Sequence, residues 1–125
     1  MAIFPPSVKI VVLIVEDELL VRMAIADAVE EAGFEVIESG NADEAVLILE
    51  SRSDVRIVFT DIDMPGSMDG MKLAAAVRGR WPPIEIILTS GHRSIPHSDL
   101  PARSIFIPKP YAAELIVATL RQFIA

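Results

Sequence analysis

The first apolar run of the chain, Ile10 to Val15, contains no polar position and is mostly β-branched, the pattern of a strand buried on both faces. Leu19 to Ala32 then mixes apolar and charged positions at helical spacing and ends at Gly33, a residue suited to the left-handed position after a helix. Phe34 to Glu38 alternates like a strand, and Asn41 followed by Glu44 reads as an N-cap with an acid at the third helical position, opening a helix to about Glu50. A second buried strand runs from Val55 to Thr60, into Asp61 and the turn-rich stretch Met64 to Gly70. Met71 to Arg80 predicts a helix that Trp81-Pro-Pro83 breaks, and Ile84 to Thr89 predicts another strand. Gly91 to Ser104 carries Pro96 and Pro101, so any helix there is expected to be short or irregular. Ile105 to Ile107 is a brief fifth strand, and Tyr111 to Ile124 closes the chain as an amphipathic helix.

Strands alternating with helices, most of the strands continuously apolar, imply a parallel sheet covered on both sides. The size, 125 residues, sets one domain with a core large enough to need no disulfide or structural metal. Hydrophobic residues make up 52% of the chain, which excludes a disordered protein. The absence of cysteine removes thiol chemistry and Cys-based metal sites and fits a reducing cytoplasm. A net charge of −7 argues against direct contact with nucleic acid. The opening Met1 to Pro6 lacks a basic region, and the run Ile10 to Val15 stops at Glu16, too short to span a bilayer. A cytoplasmic protein without membrane insertion is expected.

Ligands of open α/β sheets bind at the carboxyl ends of the strands. The polar residues that end the apolar strands are Glu16-Asp17, Asp61, Thr89-Ser90 and Lys109, so all of them should gather on one edge. Asp63 follows two residues after Asp61. Several carboxylates in one crevice repel one another, and a divalent cation is the usual compensation. An all-oxygen donor set points to Mg²⁺ or Mn²⁺ rather than Zn²⁺. A lysine and a hydroxyl on the same edge could neutralise and hydrogen-bond a phosphoryl group carried by Asp61, since a carboxylate is an adequate nucleophile for an aspartyl-phosphate.

Val15-Glu-Asp-Glu18, Thr60-Asp-Ile-Asp-Met-Pro-Gly66, Leu88-Thr-Ser-Gly91 and Pro108-Lys-Pro-Tyr111, in that order, resemble the receiver domain of two-component response regulators. The resemblance covers residues 8 to 124 and implies a flavodoxin-like, doubly wound α/β fold: a five-stranded parallel sheet in the order 2-1-3-4-5 with helices on both faces. It implies Asp61 as phosphoacceptor and Lys109 as the contact to the phosphoryl group. Mg²⁺ would be held by Asp17, by Asp61, by the backbone carbonyl of Asp63, and by Glu16 through water. Ser90 matches the family's switch hydroxyl better than Thr89, and Phe106 occupies its aromatic switch position. On its own, Phe106 reads as core packing rather than as a moving switch. The Lys109-Pro110 bond stands where the family usually has a cis peptide. The resemblance further implies that a histidine kinase or phosphotransfer protein supplies the phosphoryl group and that an unknown downstream protein reads the result. The protein itself would be a regulatory phosphoacceptor rather than an enzyme, either a monomer or a weak homodimer. With nothing after the last helix, a stand-alone domain without an output domain is expected, acting through partners or by draining phosphate from another regulator. Phosphorylation should draw the Ser90 hydroxyl toward the phosphoryl oxygen and shift residues 91–104 with it.

Some positions depart from the family pattern. Glu16-Asp17 stands where the family often has two aspartates, and the resemblance places Asp63 and His92 at positions that tune phosphate lifetime in that family. The turn Pro65 to Gly70 is one residue longer than the plainest pattern, and the proline-broken segment 91–104 replaces the family's fourth helix, which puts the usual output surface in doubt. His92 and His97 read as loop residues, and Trp81 and the methionines as packing. Two other functions carry some of the same residues. Asp61-Ile-Asp63 also resembles the nucleophile motif of haloacid-dehalogenase-type phosphatases, although there the second acidic cluster follows the motif and here Glu16-Asp17 precedes it. A receiver-like interaction module that is never phosphorylated is the third reading, opposed by the complete set of acids, hydroxyl and lysine.

Overall fold

Alternating side-chain direction along β1 (Val11–Val15) divides its residues between two cores. Val11, Leu13 and Val15 face one, Val12 and Ile14 the other, and all five are buried, as a central strand covered on both sides requires. The computed structural model describes residues 9–124; the expected start of the fold at Val8 lies outside them. The remaining elements are α1 (Leu19–Glu31), β2 (Glu35–Ser39), α2 (Ala42–Ser51), β3 (Val55–Asp61), α3 (Gly70–Arg80), β4 (Glu85–Ser90), β5 (Ser104–Pro108) and α4 (Ala113–Ile124). The strands pair in parallel in the order β2-β1-β3-β4-β5, the order that the resemblance implies.

The first core packs α2 and α3 onto the sheet through Ala42, Ala45, Leu49, Leu73, Ala74 and Val77. The second packs α1 and α4 through Ile25, Ala26, Val29, Ile116 and Leu120. Phe106 is half-buried against the first core, in keeping with the packing reading of that residue. Helix starts follow local chemistry. The Asn41 side chain accepts the Glu44 N–H at 2.8 Å, and that of Asp69 accepts the Lys72 N–H at 2.9 Å, so α3 begins one residue earlier than its apolar pattern suggests. Gly33 takes φ +102° after α1.

Between β4 and β5 only a single 3₁₀ turn forms, His97–Asp99. Pro96 immediately precedes it and Pro101 follows two residues after it, and neither can donate the N–H that a continuing helix would need. Ile95 and Leu100 cover the first core where a helix would otherwise lie. The end of this segment is held by Arg78 of α3, whose guanidinium donates to the carbonyls of Ala102, Pro82 and Ile84 at 2.6, 2.6 and 2.8 Å. Among the described residues no helix is long and apolar enough to cross a membrane.

Candidate functional site

The carboxyl ends of β1, β3, β4 and β5 meet at one edge, and the sheet ladder continues into their tips. The Glu16 N–H donates to the Ser39 carbonyl at 3.0 Å, that of Ile62 to Thr89 at 2.9 Å, and that of Lys109 to Ser90 at 3.0 Å. Arg22 of α1 fastens the turn after β1 by donating to the Glu16 carbonyl at 2.9 Å and to the Glu38 carboxylate at 3.0 Å. The side chains of Glu16, Asp61 and Lys109 thus leave from short, paired backbone.

Lys109 bridges two buried acids. Its ammonium donates to Glu16 Oε1 at 3.1 Å and to Asp61 Oδ2 at 3.3 Å, although the partners lie 93 and 48 residues away in the chain. The second Glu16 oxygen accepts the Glu18 N–H at 3.0 Å, and Asp61 Oδ1 accepts the Asp63 N–H at 3.4 Å. Asp17 is exposed, and one carboxylate oxygen from each of Glu16, Asp17 and Asp61 lies within 4.8 Å of the other two. Three acids face one amine.

Burial, the largest effect on either group, lifts the Glu16 and Asp61 carboxyls above their ordinary values despite the opposing lysine. Burial also pulls on the Lys109 ammonium, but its hydrogen bond to Glu16 and the charges of Glu16 and Asp61 outweigh that and hold it above its ordinary value. The edge therefore sets three carboxyls against one ammonium, two of the carboxyls buried, and its cluster of acids offers only oxygen to a cation. Mg²⁺ fits such a donor set by both charge and ligand type.

Ser90 reaches the same edge by another route. Its hydroxyl donates to Asp63 Oδ2 at 2.5 Å, and Arg93 Nε donates to Asp63 Oδ1 at 3.1 Å. The Ser90 hydrogen bond, ahead of the Arg93 guanidinium, holds the Asp63 carboxyl below its ordinary value. Thr89 is on the other face of the strand, and its Oγ1 is buried with no hydrogen-bond partner among the described residues. Lys109-Pro110 is cis. The structure thus brings Glu16, Asp17, Asp61 and Lys109 together and sets Ser90 beside them on Asp63. Sequence reasoning missed Arg93; its only signal was a basic residue three places after Ser90.

Comparison with known proteins agrees with this geometry. The family model described as "Response regulator receiver domain" matches residues 12–121. The chain is 35% identical over 120 residues to "Sensor kinase CckA" of Brucella abortus (strain 2308), a match covering 90% of this chain and 12% of that protein's length. Among solved structures it is similar to a response regulator receiver protein from Sinorhizobium medicae WSM419, with a TM-score of 0.86, 25% identity and coverage of 93% and 94% of the two chains. It is also similar to the response regulator protein TrrA from Thermotoga maritima in complex with Mg(2+)-BeF, with a TM-score of 0.81, 26% identity and coverage of 93% and 99%.

Proposed function

The chain belongs to the response regulator receiver domain family, and on that premise we propose that Asp61 accepts a phosphoryl group from a histidine kinase or phosphotransfer protein in a two-component system. The observation that carries this reading is the Lys109 ammonium, seated between buried Asp61 and buried Glu16 at the strand tips. A carboxylate oxygen of Asp61 forms a bond to the donor's phosphorus while the bond to the donor's histidine nitrogen breaks, leaving the histidine as product. Lys109 then turns its hydrogen bond from the Asp61 carboxylate to an oxygen of the transferred group. Ser90, once released from Asp63, supplies a second donor.

Asp17, Asp61 and the Asp63 backbone carbonyl would hold Mg²⁺, with Glu16 acting through water. The Glu16 oxygens accept hydrogen bonds from the Glu18 N–H and Lys109 at 3.0 and 3.1 Å, shorter than the 3.4 and 3.3 Å bonds to Asp61, which supports the outer role for Glu16. When bound, the cation neutralises charge on the phosphoryl group and on the clustered acids. Phe106 is proposed as packing that adjusts with Ser90. The readout is a change in protein–protein contacts, and the compartment is the cytoplasm.

Incubation with acetyl phosphate and Mg²⁺, followed by intact mass, tests the reading. One added phosphoryl group is expected, and none in metal-free buffer. No adduct under conditions that label a control receiver would overturn it.

The donor's route to Asp61 is also suggested by the surface. Leu19, Leu20 and Met23 of α1 are exposed, Leu20 to 80%. Leu20 also lines a groove of about 700 Å³, together with Val21, Ala24, Lys109, Pro110 and Tyr111. Its continuity with the acidic edge argues for the protein that delivers the phosphoryl group as its occupant. Leu20→Asp should slow transfer from a phosphotransfer protein that labels the wild type by about tenfold, as for an interface anchor worth roughly 1.4 kcal/mol, and leave uptake from acetyl phosphate within about twofold. Equal slowing with both donors would remove the groove from the docking route.

A further inference from the structure

Asp63, Ser90 and Arg93 form a closed ring on the rim of the acidic edge. The Ser90 hydroxyl donates its single hydrogen to Asp63 Oδ2, and its oxygen accepts the backbone N–H groups of His92 at 3.1 Å and Arg93 at 3.0 Å. That is the full capacity of a hydroxyl: one donor and two lone pairs. Arg93 closes the ring by donating from Nε to the other Asp63 oxygen at 3.1 Å, and one of its terminal nitrogens lies 3.6 Å from Asp69, the residue that caps α3. One arginine therefore holds Ser90 twice, directly by its backbone and through Asp63 by its side chain.

A saturated hydroxyl cannot also donate to a phosphoryl oxygen. To reach a group on Asp61, Ser90 must give up Asp63, and Arg93 keeps Asp63 turned toward it. We propose that Arg93 is a positioning residue that clamps the Ser90 hydroxyl in its unswitched place by pinning the Asp63 carboxylate, so that the clamp sets how readily the phosphorylated state forms. The proposal rests on Asp61 as phosphoacceptor and goes beyond it to a residue that touches neither the acceptor nor the cation's ligand atoms. The position of Arg93 gives the clamp a lever. It lies at the head of residues 91–104, a largely exposed segment with only one 3₁₀ turn of its own, and ties that head to the loop before α3.

The clamp and simple electrostatics predict opposite signs. Removing a cation beside an anion site should weaken anion binding, whereas releasing a clamp should strengthen it. The test titrates beryllofluoride at saturating Mg²⁺ into the full chain, followed by amide resonances. Arg93→Ala should bind the mimic about two- to fivefold more tightly than wild type, the range of a partly exposed ion pair. Its free-state amide shifts at Gly91 and His92 should lie part-way toward their wild-type bound positions, and Arg93→Lys should return toward wild type. In an Asp63→Asn background the effect of Arg93→Ala should disappear. Equal or weaker binding by Arg93→Ala, or an undiminished effect without Asp63, overturns the clamp while leaving the phosphoacceptor reading intact. A wild type that never saturates with the mimic removes that reading and the clamp with it.

Discussion

Asp61→Asn should take up no phosphoryl group from acetyl phosphate and Mg²⁺, yet in metal-free buffer at neutral pH it should melt above the wild type. The first half follows from losing the nucleophilic oxygen at the site of bond formation. The second follows from what burial does to the unphosphorylated site. The folded-state values of the Asp61 and Glu16 carboxyls are raised, burial being the largest cause, above unfolded values near about 4. The folded chain consequently binds more protons than the unfolded chain at mildly acidic pH. Their contribution to stability is greatest below the unfolded values and is lost as pH rises through the raised ones. Above those raised values both acids carry charge around one lysine. Asparagine removes one of those charges while keeping the shape, leaving Lys109 paired with Glu16 alone. Each kcal/mol relieved is worth about 4 °C in Tm for a domain of this size. Adding Mg²⁺ should raise the wild-type Tm more than that of Asp61→Asn, and the difference should shrink as pH falls into the acid range. Phosphorylation of Asp61→Asn would place the acceptor elsewhere, and a lower metal-free Tm would mean that the Lys109–Asp61 bond outweighs the cost of burial.

That burial was only half legible in the sequence. The strands were legible because a strand covered on both faces must be apolar at consecutive positions, and Val11–Val15 and Ile86 to Leu88 have no other use for such runs. Once those strands are set, the rule that sites lie at carboxyl ends puts Glu16, Asp61 and Lys109 on one edge without further information. The segment without a regular helix was legible from Pro96 and Pro101. Glu16 is different: taken alone, acids before a helix read as solvated, and its 1% exposure comes from the turn that Arg22 and Ser39 hold in place. The Asp63–Ser90–Arg93 ring was illegible, because Asp63 and Arg93 sit 30 residues apart on two loops and loop geometry leaves no periodic trace. Arg78, which donates to carbonyls on both sides of β4, was hidden in the same way.

Gly70 connects fold and site most directly, and Gly70→Ala should destabilise the protein by about 1–3 kcal/mol as overpacking. Helix propensity alone predicts the opposite, since alanine favours a helix over glycine by about 1 kcal/mol. The contacts decide. Gly70 opens α3 with its N–H on the Ile62 carbonyl at 2.9 Å, and a Cβ added there would strike the Asp61 carbonyl oxygen and come within 2.7 Å of Ile62 Cα. These are backbone atoms, unable to rotate aside, and they belong to the acceptor residue and its neighbour. Either α3 lifts from the tip of β3 or Asp61 moves, and both spoil the alignment that phosphoryl transfer needs. The same helix supplies the control. A Cβ on Gly79 meets nothing within 4 Å, so Gly79→Ala should stabilise by roughly 0.5–1 kcal/mol and leave phosphoryl uptake as it is. Urea midpoints and initial rates of labelling by acetyl phosphate measure both variants. If Gly70→Ala were to stabilise like Gly79→Ala, α3 would not be wedged against the acceptor strand, and Asp61 would owe its position to β3 and Lys109 alone.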